Sequence, residues 1–175
     1  DLKALSRWDE IKRPNYIGVC GADAHGRIEL SSNLKLWRIQ LGVDLPQDPT
    51  QHAKAIVQAL KSGKFFCFAG FLLDSKSQPD FRFEAILDEL TVARAGDQLL
   101  ENDVSELLVE GPPIQFPNPN DDMSIVLFRN GAEIMRQSGP SLRYNNPLPG
   151  SYRTEVRIPI PSVFWGTRNV PIIYS

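Results

Sequence analysis

The spacing of apolar positions changes character along this chain, from helical at the front to strand-like over most of its length. Leu2, Leu5, Trp8 and Ile11 recur at helical intervals, so residues 2–12 read as an amphipathic helix. Pro14 ends it. The apolar run at residues 16–20 reads as a short buried strand and leads into Gly21-Ala22-Asp23-Ala24-His25-Gly26, where the flanking glycines permit a sharp turn. Leu34, Leu36, Trp37, Ile39 and Leu41 alternate in part, as an irregular strand does.

The best-signalled element is a helix over residues 49–62. Asp48 is a natural N-cap, Pro49 suits the first helical position, and Gln51 is placed to close a capping box. Ala53, Ile56, Val57 and Leu60 form one apolar face, and Ile56, Val57 and Leu60 are predicted to pack on the rest of the fold. Lys61 complements the helix dipole, and Gly63 supplies a left-handed cap. His52, Lys54 and Gln58 fall off the apolar face, and His52 reads as a solvated helix residue.

After Gly63 the period falls to two and stays there. Residues 65–73 are too apolar for a surface strand. Phe81, Phe83 and Ala85 share one face of a strand, and Tyr152, Thr154, Val156 and Ile158 share one face of another. Residues 107–109 and 125–128 supply further strands, and Asn130-Gly131 is a two-residue hairpin signal. The inward set is expected to include Phe66, Phe68, Phe83, Val126, Phe128, Tyr152 and Val156. Short strands at this spacing, separated by turn clusters such as Gly111-Pro112-Pro113, predict an antiparallel immunoglobulin-like β-sandwich over residues 64–175. Residues 1–63 follow a different, α/β style.

Composition narrows the function classes. Hydrophobic content of 42% and charged content of 23% are those of an ordinary globular protein. A formal net charge of -2 gives no electrostatic reason to expect a nucleic acid or an anionic membrane as partner. No apolar run approaches the ~20 residues that cross a bilayer. Cys20 and Cys67 each sit in an apolar strand-like run and fit no Cys-x-x-Cys motif, so they read as buried free thiols.

The chemistry-bearing stretch is Asp23-Ala24-His25. A carboxylate and an imidazole two residues apart at a strand end can face one site, and together they suit Zn, Mn or Fe. The same spacing also fits a plain turn capped by Asp23. The chain has 2 His in all, so most partners of a metal site are missing from it.

The segment from Trp8 to Gly26, with Trp8-Asp9-Glu10-Ile11 followed by Tyr16-Ile17-Gly18-Val19-Cys20-Gly21-Ala22-Asp23-Ala24-His25-Gly26, resembles the last motif of the polymerase-and-histidinol-phosphatase (PHP) metallohydrolases. The resemblance continues in Ala55-Ile56 through Gly63-Lys64, in Pro149-Gly150-Ser151-Tyr152-Arg153-Thr154-Glu155-Val156, and in Pro171-Ile172-Ile173-Tyr174-Ser175. It implies that Asp23 and His25 align with two ligands of a multinuclear centre hydrolysing phosphoesters or, in some branches, carbamate-type esters. The family's early His-x-His, its middle His residues and its bridging carboxylate have no counterparts here.

With Asp1 in place of an initiating Met, and already inside a helix, the sequence looks like the C-terminal portion of a longer hydrolase. Residues 1–63 would be the remnant of its PHP-type barrel and residues 64–175 an accessory sandwich. The missing barrel portion is then the expected partner, with a second copy of the chain a further candidate. A divalent metal is expected in the parent and none held tightly by this part alone. The alternative is a non-catalytic sandwich that binds carbohydrate, peptide or a partner domain, through Phe164-Trp165 or the Pro-rich loop from Pro112 to Pro119.

Overall fold

Residues with period-two patterning pair into two antiparallel sheets. The computed structural model describes residues 37–69, 80–87, 92–99, 104–113, 123–162 and 166–175. The first sheet has six strands: β1 (Trp37–Leu41), β2 (Phe65–Ala69), β10 (Gly166–Tyr174), β9 (Tyr152–Ser162), β6 (Ser124–Arg129) and β7 (Ala132–Ser138), in that spatial order. The second has four, ordered β4 (Val92–Arg94), β3 (Arg82–Ile86), β5 (Glu106–Glu110) and β8 (Ser141–Asn145).

Successive strands change sheet between β2 and β3, between β5 and β6, between β7 and β8, and between β8 and β9. That is the Greek-key path of an immunoglobulin-like sandwich. A tyrosine corner supports the assignment: Tyr152, the first residue of β9, donates its hydroxyl hydrogen to the Leu148 carbonyl upstream. The predicted mainly β, immunoglobulin-like class is what the chain adopts.

The core lies between the sheets. Leu107, Val109 and Leu142 from the smaller sheet meet Phe68, Ile125, Leu127, Val156, Ile158 and Ile173 from the larger. Phe66, Phe81, Phe83, Ala85 and Tyr152 pack around this cluster as half-buried neighbours. Burial of this apolar surface is the main stabilising term, at about 25 cal/mol per Å2 removed from water.

Register sets which side chains belong to the core. Ile125 pairs with Val156 and Leu127 with Thr154, so Ile125 and Leu127 face inward. Val126 and Phe128, expected inward from the sequence, instead point to the opposite face of the sheet, where both are still buried. Four consecutive apolar residues give period two no polar contrast, so pattern alone could not choose the face.

The hairpin and the helix follow their local chemistry closely. Asn130 and Gly131 take positive φ of 51° and 83° and close β6 onto β7, as a two-residue loop requires. Asp48 caps a 3-10 turn, Pro49–Gln51, by accepting from the Thr50 N–H at 2.9 Å. The α-helix α1 (His52–Lys61) continues from it. Gln51 does not complete a capping box; its side-chain amide donates to the Asp48 carboxylate instead. At the other end Lys64 N–H donates to Ala59 C=O and Gly63 N–H to Leu60 C=O, a Schellman closure.

The helix buries Ala59, keeps Ile56 and Leu60 half-buried, and leaves Val57 50% exposed. Val57 therefore does not belong to the packed face predicted for it, because the helix rests on β1 along a narrower stripe. His52 is half-buried, with Nε2 at 2.9 Å from the Pro46 carbonyl, and so ties the preceding loop to the helix. It is not the solvated residue expected. Cys67 is likewise not a free thiol: it is disulfide-bonded.

Candidate functional site

Asp23 and His25, the residues that carry the predicted chemistry, lie outside the described residues. So do the expected helix at residues 2–12, the strand at 16–20, Phe116, Phe164 and Trp165. Pro112 is buried and Pro113 exposed at the start of the Pro-rich loop.

The most concentrated charged group among the described residues sits on β9. Alternation of that strand puts Thr154, Val156 and Ile158 into the core and Arg153, Glu155 and Arg157 on the other face. Arg153 Nη1 lies 2.5 Å from Glu155 Oε1. Arg157 reaches Glu155 Oε2 through Nε at 2.7 Å and Nη2 at 2.5 Å. The Glu155 side chain is 2% exposed, against 10% and 17% for Arg153 and Arg157. The Arg153 guanidinium also lies over the Phe128 ring, 3.7 Å from its centroid, a cation–π contact of the desolvated kind.

This ladder is structural in its chemistry. Both Glu155 oxygens accept from guanidinium groups, which leaves the carboxylate unsuited to act as a base or a metal ligand. Alternation of this kind along a strand is the pattern of a charged face open to water. The signal against that was the adjacent strand: residues 125–128 are apolar without a break, so the sheet beside them must be covered on both sides.

Other charged groups form surface pairs. Across the outer face of the smaller sheet, Arg143 meets Glu106 at 2.9 Å and Arg94 meets Glu84 at 3.4 Å. On β7 the Arg136 guanidinium lies 2.8 Å from Glu133 and holds its carboxyl below the ordinary glutamate value. Asp97 is lowered in the same sense, first by the Arg94 backbone N–H and then by Lys64. Burial pushes the Tyr152 phenol up.

Among the described residues no cluster of three or more His, Cys, Asp or Glu side chains could hold a metal ion. His52, the described histidine, has its Nε2 engaged by Pro46. No family model, no curated protein and no solved structure matches this chain.

Proposed function

We propose that the chain is the C-terminal portion of a PHP-type metal-dependent hydrolase acting on phosphoesters or related esters. In this reading residues 1–63 belong to the remnant of the barrel, their strand β1 added to the edge of the sandwich sheet beside β2, and residues 64–175 form the body of an accessory sandwich that buttresses it. The observation that carries it is the Gly21-Ala22-Asp23-Ala24-His25 turn, with its preceding apolar run, in a chain whose later segments also resemble the family. Asp23 and His25 would each donate one ligand to a divalent ion, and a carboxylate with an imidazole is a suitable donor pair for Zn, Mn or Fe. Bound metal would supply a water of lowered pKa as nucleophile.

Two ligands do not build a multinuclear centre. Alone, the chain should hold no tightly bound metal and hydrolyse no phosphoester, because the remaining ligands belong to the missing barrel portion. Elemental analysis of the purified chain and an assay on an aryl phosphate test this half. Stoichiometric Zn, Mn or Fe would overturn it. The other half is tested in the longer parent: Asp23→Ala and His25→Ala should each remove metal and activity together. A parent indifferent to both leaves Asp-Ala-His an ordinary turn, and the chain a non-catalytic sandwich that binds or assembles.

A further inference from the structure

The six-stranded sheet is closed on both faces at its centre, and packing of the two sheets accounts for only one of them. Cross-strand register links Cys67 to Tyr174, Tyr174 to Glu155, Glu155 to Val126 and Val126 to Arg136. This row lies opposite the inter-sheet core. Within it Cys67 is 4% exposed, Glu155 1% and Val126 0%, whereas Ile39 and Arg136, at its two ends, are open. Among the described residues the one element outside the sheets is the helix with its 3-10 turn, and it packs on β1 at one edge. A carboxylate held by two guanidinium groups at this exposure needs a dry cover over β9 and β6.

Two observations identify the cover. Residues 1–36 run directly into β1, an edge strand of this same sheet. Cys67, in the covered row, is disulfide-bonded, and the sequence contains one other cysteine, Cys20.

We infer that residues 1–36 dock on the outer face of the six-stranded sheet, over the Arg153–Glu155–Arg157 ladder, and that a Cys20–Cys67 disulfide fixes them there. Cys20 is followed closely by Asp23 and His25, so the link anchors the candidate metal turn to the sandwich. Its formation takes two thiols to one disulfide. The two protons and two electrons pass to an oxidant such as glutathione disulfide, which is reduced to two glutathione thiols.

The docking can be tested without metal or activity, so its failure and that of the hydrolase reading are separable. The full chain, equilibrated with glutathione disulfide under native conditions, is digested without reductant and mapped by mass spectrometry. The expected product is one intrachain peptide pair containing Cys20 and Cys67. A chain-to-chain link through Cys67, or two free or glutathione-capped thiols, overturns the disulfide. In a second measurement, a photo-crosslinking residue replaces Arg136 in a Cys20→Ser, Cys67→Ser background. Crosslinks into residues 1–36 of the same chain are expected. Crosslinks confined to residues 37–175, or made to another copy, overturn the docking.

Discussion

Gly96 backs directly onto Gly63, so that a Cβ on Gly63 would lie 3.7 Å from the Gly96 Cα and one on Gly96 would fall 2.4 Å from the Ser62 carbonyl oxygen. The turn after β4 is thereby seated on the C-cap of the helix, and Lys64 and Asp97 close the contact with an ion pair at 2.9 Å. Gly96 also holds φ at +86°. Gly96→Ala therefore combines left-handed strain with a backbone clash and should cost at least ~1–3 kcal/mol. Gly139 has φ +104° and open space around it, so Gly139→Ala carries the strain alone. Urea melts should rank Gly96→Ala clearly below Gly139→Ala, and equal losses would remove the close approach from the account.

Glu155→Gln leaves two guanidinium groups on a covered face without their anion. Breaking a buried pair in this way costs ~3–5 kcal/mol. Glu133→Gln is the comparison, since its partner Arg136 is 38% exposed and Glu133 itself 42%. Surface pairs of that kind contribute ~1 kcal/mol at most. Similar denaturation midpoints for the two variants would mean that water reaches the β9 ladder.

Tyr152→Phe deletes the corner hydroxyl and keeps the ring that packs against the core. A loss of ~0.5–1.5 kcal/mol is expected, the net value of one hydrogen bond, with an unchanged far-ultraviolet circular dichroism spectrum. A variant as stable as the parent chain would show that the Leu148 carbonyl is equally well served by water.

Asp97 gives the helix–sandwich contact an acid limit. Its carboxyl lies below the ordinary aspartate value of 3.8, held down first by the Arg94 backbone N–H and then by Lys64. A depressed folded-state pKa means that the contribution is fully present above the unfolded value and is lost as pH falls through the folded one. The side chains are over a third exposed, so solvent screening keeps the effect small. Melting temperatures taken from neutral pH down through this range should fall less for Asp97→Asn than for the parent chain. A steeper fall in the variant would contradict the assignment.

The readable parts of this fold are those where one residue type answers one local demand. Asn130-Gly131, Asp48 and Gly63 each announce a backbone event, and each performs it. The unreadable parts depend on what lies across a sheet. Ile125 and Val126 are equally apolar, and only pairing with β9 decides which of them joins the inter-sheet core. The same applies to Glu155, whose strand alternates as a solvated strand does while its outer face is covered. Val57 shows the converse, an apolar helix position left 50% exposed. For the candidate site, sequence supplied residue types and a resemblance at Asp23 and His25. The two-residue spacing alone does not distinguish a ligand pair from a capped turn.

The placement of β10 bears on how the chain is made. It sits between β2 and β9, with Ile173 beside both Phe68 and Val156, yet it is the last of these strands to leave the ribosome. Until it emerges, β1–β2 and β9–β6–β7 are separate pieces, each with an unpaired edge facing the gap. Closure of the sheet must then wait for the end of this sequence to be synthesised, and long-range pairing of this sort is slow. Loss of residues 166–175 would leave both edges open for good and turn the nascent protein toward chain-to-chain strand pairing and aggregation.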